Sequence, residues 1–195
     1  IKELGHEIAY HSHTHALIDD VSSLKRELKK SEKFVEEFRP AGFRAPRASI
    51  KREYLRELER NGFTYDSSSY GPLTKCERIS GILEIPISTY CVYRESRLRF
   101  PRPLSATLFK NLEVPFGSGY FISLFSLIYP GITSRFIVKS NERSIPSVLC
   151  LHPWQLCGGR IRSPPRTVRT RLEALPYDLS CLRGFKYLLR NHTFC

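Results

Sequence analysis

Gly5-His6-Glu7-Ile8-Ala9-Tyr10-His11-Ser12-His13-Thr14-His15 places four of the chain's six histidines within ten residues. Residues 6–10 read as a short strand, with the histidine-bearing turn at its carboxyl end. In barrels and doubly wound sheets, binding and catalytic groups gather at that end. His11 and His15 are four apart, which puts two imidazoles on one face if the chain turns helical there. That is what a zinc-type divalent ion requires of a pair of nitrogen ligands. His13 faces elsewhere in such a turn. Ser12 and Thr14 suit a strand-to-helix junction, where a hydroxyl accepts from the free N–H groups of a helix start. The same two histidines also fit a hydrogen-bonded surface or core turn, so spacing alone does not assign them.

Working outward, residues 21–38 show helical spacing of Leu24, Leu28, Phe34, Val35 and Phe38, with Ser22 or Ser23 as cap and Pro40 and Gly42 as terminators. In Gly42-Phe43-Arg44-Ala45-Pro46 the proline pushes Ala45 out of helical conformation, so Arg44 is expected at another strand end. A helix over residues 51–61 closes at Gly62, and residues 63–66 resume an extended path. Residues 82–86 and 87–93 read as strands, and residues 94–115 as a polar, proline-bearing loop. The apolar residues 120–132 are too short and too interrupted to span a bilayer and read as a buried helix. Residues 147–151 read as a buried strand ending at His152-Pro153-Trp154, and residues 179–190 as a last helix packed across the sheet. Alternating strands and helices of these lengths predict an α/β fold with a largely parallel sheet or barrel.

A chain of 195 residues is one domain by length and can bury roughly 70% of its unfolded surface. Hydrophobic residues at 41% and charged residues at 26% are ordinary for a globular protein. The 31 basic and 19 acidic residues leave a net charge of +12, which favours polyanions. The basic runs, in residues 25–30 and residues 160–171, lack interleaved aromatics for base stacking, so no nucleic acid is expected as partner. The cysteines at 76, 91, 150, 157, 181 and 195 form no CxxC pair and no regular framework, which favours a reduced protein. The chain starts at Ile1 and holds no methionine, and is expected to be an internal piece of a longer protein.

Six segments in order, GHEIAYHSHTH (5–15), GFRAPRASI (42–50), NGFTYDSSSYG (61–71), LEIPIS (83–88), GSGYF (117–121) and LHPWQ (151–155), resemble the motifs of the polysaccharide deacetylase family, the NodB-homology carbohydrate esterases. The resemblance covers nearly the whole chain. It implies an incomplete, distorted (β/α) barrel and metal-dependent hydrolysis of the N-acetyl C–N bond of sugars in a polysaccharide or lipid-linked glycan. It also implies that His11 and His15 are metal ligands, with zinc the first choice of divalent metal. By the same resemblance His152 is the general acid, and Arg44 orients a catalytic-base aspartate. Trp154 and Pro46 are expected to contact the glycan, with Trp154 alternatively a core residue. The GSGYF and HPWQ segments are closer to exopolysaccharide-associated members, and cytoplasmic and cell-envelope locations both stay open.

One family motif has no counterpart. The aspartate pair that supplies base and third ligand lies upstream of the histidines, and none of the five residues before His6 is aspartate. Asp19 and Asp20 follow the histidines, while Asp66 belongs to the Tyr65-Asp66-Ser67-Ser68 segment and reads as structural or as a rim contact. The expectation is therefore a domain lacking its first strand-helix unit, with an uncovered sheet edge and little activity by itself. The alternatives are a glycan-binding protein of deacetylase type without the chemistry and, further off, a basic nucleic-acid binder.

Overall fold

A computed structural model describes residues 2–72, 74, 76–91, 113–125, 128–157 and 180–194. The chain folds as a mixed α/β protein. After a short turn at Lys2–Leu4 come helices α1 (Val21–Lys30) and α2 (Glu32–Phe38), strand β1 (Gly42–Phe43), helix α3 (Leu55–Arg60) and strand β2 (Tyr65–Asp66). Strands β3 (Tyr70–Gly71), β4 (Glu77–Ile79), β5 (Ile82–Glu84), β6 (Ile87–Ser88), β7 (Tyr90–Cys91) and β8 (Glu113–Val114) follow. Helices α4 (Gly119–Phe125), α5 (Ile132–Asn141), α6 (Pro153–Cys157) and α7 (Leu182–Asn191) complete the described order.

The principal sheet runs β1-β2-β5-β4, with β1, β2 and β5 parallel and β4 antiparallel to β5. The β4–β5 reversal turns on Ser80 and Gly81, both at positive φ, the backbone a two-residue hairpin requires. Two further pairs, β3 with β6 and β7 with β8, stand apart from it. None of the sheets closes into a barrel among the described residues.

The first core joins α1, α3 and the principal sheet through Leu24, Leu28, Phe43, Leu55, Leu58, Phe63, Ile79 and Ile82. Leu24, Leu55, Leu58 and Ile82 are fully buried, each adding about 1.5–3 kcal/mol of apolar transfer. A second core gathers Phe116, Phe121, Ile137 and Leu188, against which Phe136 and Leu149 also pack.

The departures from the sequence expectations have local causes. Residues 6–10 form no strand; Tyr10 makes a parallel bridge to Phe43, with its N–H on Gly42 O at 2.8 Å and its carbonyl accepting from Arg44 N at 3.0 Å. The helix expected over residues 21–38 breaks at Ser31, whose hydroxyl faces Tyr10 and His13. Its cap is Asp20, paired reciprocally with Ser23. Residues 120–132 divide at Pro130 and Gly131, and α5 starts beyond them. Residues 147–151 cannot form a strand because their bonds go to two different segments. Val148 exchanges with Ser88, whereas the Cys150 N–H reaches Gly117 O. The last helix packs against α4, α5 and α6 rather than across the sheet. Most of the expected loop over residues 94–115, and the arginine-rich residues 160–171, lie outside the described residues.

No described helix is long and apolar enough to cross a membrane. Cys76, Cys150, Cys157 and Cys181 are free thiols.

Candidate functional site

The histidine stretch is not helical. Ser12 (φ 67°) and His15 (φ 58°) both adopt left-handed backbone, a conformation costing a non-glycine residue on the order of 1 kcal/mol. What holds the turn is Glu27, buried on the inner face of α1. One carboxylate oxygen accepts from Ser12 Oγ (2.7 Å), His13 N (2.9 Å) and Thr14 N (2.6 Å), and the other accepts from Thr14 Oγ1 (2.8 Å). Burial pushes this carboxyl upward, but the bonds from Thr14, Ser12 and His13 outweigh it and bring its pKa down to about 2. Ser12 and Thr14 therefore serve a carboxylate on α1 and not a helix start. Sequence reasoning missed Glu27, although the signal was there: it occupies the apolar stripe of α1 with Leu24, Leu28 and Ser31.

This turn brings the rings of His11 and His15 to a centroid separation of 4.9 Å, edge to face. His11 Nδ1 lies 2.8 Å from the Arg44 carbonyl oxygen. A carbonyl only accepts, so Nδ1 carries the hydrogen and Nε2 keeps its lone pair. That Nε2 is buried and has no hydrogen-bond partner among the described residues. Burial, together with His15 and Arg44, holds the His11 pKa below its ordinary value and keeps the ring neutral. His15 is exposed at the rim, and His13 turns to Ser31 Oγ at 3.2 Å.

His152 arrives from the second core, its ring 6.1 Å from that of His11. Its backbone N–H donates to Gln155 Oε1 at 2.8 Å, across the first turn of α6. Burial, then the neighbouring His11, His15 and Arg44, bring its pKa down to about 4. At neutral pH it is a proton acceptor, and it can donate a proton only once a negative group has arrived beside it. Trp154 lies flat on His152, centroids 4.1 Å apart and planes 9° from parallel, and is 42% exposed. It is thus an exposed ring beside His152 and not a core residue. Replacing Gln155 by leucine is expected to cost about 1–2 kcal/mol by stripping His152 N of its acceptor, with faster hydrogen exchange at that amide as the readout.

Arg44 joins the same cluster, but its side chain meets no carboxylate among the described residues. Nε donates to Ser67 O at 2.8 Å and Nη2 to Ser67 Oγ at 2.6 Å. Ser67 is a second residue the sequence did not single out. Pro46 is buried in the 3-10 turn Pro46–Ala48, so it shapes the loop from inside without offering a surface to a ligand. Asp66 is fully buried as well, in keeping with the structural role expected of it.

The donor chemistry at His11 fits a divalent metal. A ring fixed through Nδ1 to a backbone carbonyl, with Nε2 unprotonated and unpartnered, is how metal-binding imidazoles are oriented. His15 is the neighbour able to act with it. The set stops at two, since among the described residues no three His, Cys, Asp or Glu side chains are grouped closely enough to hold an ion.

No family model and no curated protein matches the chain. Among solved structures, the chain is similar to a Mycobacterium smegmatis protein described as a polysaccharide deacetylase. The identity is 26%, over 45% of this chain and 33% of that one, with a TM-score of 0.36. The match thus spans about a third of that protein's length.

Proposed function

We propose that this chain carries the histidine half of a metal-dependent hydrolase site for the C–N bond of N-acetylated sugars, built on an incomplete, distorted (β/α) barrel of deacetylase type. The observation that carries this reading is the buried, unpartnered Nε2 of His11, fixed through Nδ1 on Arg44 O with His15 beside it. The ordered motif series supports it.

Amide hydrolysis needs a nucleophile at neutral pH and stabilisation of an oxyanion. A divalent ion, zinc for choice, supplies both when bound, by acidifying water and acting as a Lewis acid. His11 and His15 would hold it, with the remaining ligands and the base supplied from outside this pair. The residues of this chain do the rest. Ser67 fixes Arg44, whose guanidinium keeps positive charge beside the site. His152, neutral in this state, would take up the proton that the attacking water gives up and pass it to the departing sugar nitrogen. Trp154 gives the sugar ring an apolar wall.

The test is cobalt(II) titration followed by visible absorption, alongside acetate release from N-acetylglucosamine oligomers. Saturable one-to-one binding that falls at least tenfold in both His11→Ala and His15→Ala supports the reading. Binding unchanged in either variant overturns the metal site. A second reading, glycan binding without chemistry, rests on the exposed Trp154 face and on Arg44 being engaged by serine. Oligosaccharide binding lost in Trp154→Ala, with no metal binding, would favour it.

A further inference from the structure

Asp66 and Glu84 face each other in register on the neighbouring parallel strands β2 and β5, and both are fully buried. Two negative charges buried side by side would cost several kcal/mol each without compensation. Their hydrogen bonds show how that is avoided. Asp66 accepts from Ser68 Oγ at 2.7 Å and Ser68 N at 3.1 Å. Glu84 Oε1 accepts from Ser69 N at 3.0 Å and Ser69 Oγ at 2.6 Å. Glu84 Oε2 is buried with no hydrogen-bond partner among the described residues, and its carboxyl lies on the strand position paired in register with Asp66. Ionised carboxylates only accept, so a bond between two of them requires a proton.

We propose that Asp66 and Glu84 share a single proton and together form the positioning element for Arg44 and His11. The chain of bonds has one direction. Ala45 N donates to Ser68 Oγ at 2.8 Å, and the Ser68 hydroxyl donates to Asp66 Oδ1. The Asp66 proton then passes to Glu84. Because Ser68 spends its hydrogen on Asp66, its oxygen is free to accept Ala45 N–H, which fixes the peptide whose other end is the Arg44 carbonyl that holds His11 Nδ1. Ser67, between Asp66 and Ser68, takes the Arg44 guanidinium. The buried pair therefore anchors the Arg44 carbonyl through Ser68, while Ser67 holds the Arg44 side chain.

Burial first, then the charge of Glu84, pushes the Asp66 carboxyl well above its usual range. Among the described residues the Cys76 thiol also feels Glu84, its pKa raised by burial and then by that carboxyl, while the Arg44 guanidinium is held on Ser67. This role rests on the proposed site only in taking the His11 arm as the functional one. Its test uses the chain with neither metal nor substrate, so failure of the hydrolase reading and failure of this one are distinguishable.

Infrared spectra at neutral pH should show a protonated-carboxyl band, and Asp66→Asn should abolish it. In nitrogen-resolved NMR, Asp66→Asn, which keeps an acceptor for Ser68 and a donor for Glu84, should leave the His11 Nδ1–H resonance at its wild-type position. Asp66→Ala should shift or lose it. Ser68→Ala cuts the link while leaving the carboxyl pair intact, so the acid band should stay and the His11 resonance should move, which decides the matter if Asp66→Ala does not fold. Absence of the band in the wild-type chain, or a His11 resonance unmoved in Ser68→Ala, overturns the proposal.

Discussion

Glu27→Gln is expected to cost about 3 kcal/mol at neutral pH, the equivalent of bringing the carboxyl from its ordinary 4.5 down to about 2. The glutamine keeps the size of the side chain but replaces a charged acceptor with one oxygen and one NH2 group. That NH2 would face hydroxyl and amide hydrogens from Ser12, His13 and Thr14. Those donors lie on the turn that puts Ser12 and His15 into left-handed backbone, so the lost bonds also release stored strain, and the imidazole pair is expected to loosen with them. The neighbouring Lys30 ammonium, 3.5 Å from Glu27 and half exposed, adds little, since an exposed pair of this kind is worth under about 1 kcal/mol.

The pH dependence gives the effect a signature. A carboxyl with a depressed folded pKa stabilises the fold above its unfolded value, and that stability is lost as pH falls through the folded one. The wild-type chain should therefore hold the Glu27 contribution above about pH 4.5 and lose it progressively toward about pH 2. The glutamine variant should lack that acid limb, and the two denaturation curves should converge at low pH. Equal stabilities at pH 7 within about 0.5 kcal/mol, the scatter expected of a surface substitution, would refute it.

Gly117→Ala should be still more disruptive, costing about 3 kcal/mol or more, the upper end for overpacking a site that cannot relax. A methyl group there would strike the Val148 carbonyl oxygen and lie 2.8 Å from Ser88 N and 3.0 Å from Ser88 O. All three are backbone atoms. They belong to the weave in which Gly117 N donates to Ser88 O, Ser88 N to Val148 O and Cys150 N to Gly117 O. Moving any one pulls on the segment that delivers His152. Gly62→Ala is the control: its φ of +83° resists a side chain, but no atom lies within 4 Å of the added carbon. It should cost about 1 kcal/mol, the scale of a left-handed residue alone. Thermal unfolding with hydrogen exchange at Cys150 separates the two, and equal losses would refute the steric account.

These contrasts mark how far the sequence was readable. Periodicity located α1, α3 and the short parallel strands because each buries residues at the spacing its own geometry demands. Gly62 ended α3 as expected, with Phe63 returning to the core. The His11–His15 pairing was readable as a pair of ligand-type residues, but the helical turn proposed for it was not what forms. The turn is instead set by Glu27, which is close in space and distant in sequence, and a pattern of local spacing carries no such information. Residues 147–151 misled for a similar reason: a largely apolar stretch fits a strand, but whether a ladder forms depends on a partner of matching length. The role of Ser67 was hidden because a serine beside two others gives no sign of which one takes the arginine.

The two hydrophobic cores have a consequence for the order of folding. The first draws its buried residues from Tyr10 to Ile82 and the second from Phe116 to Leu188, so each can condense from contacts within its own stretch of chain. Such stretches tend to open and close as separate cooperative units. The imidazoles of His11 and His152 belong one to each, and their meeting depends on the longest loop closure, a step that topology makes slow. A mutation that weakens either core alone can leave most of the chain folded and yet separate the imidazoles.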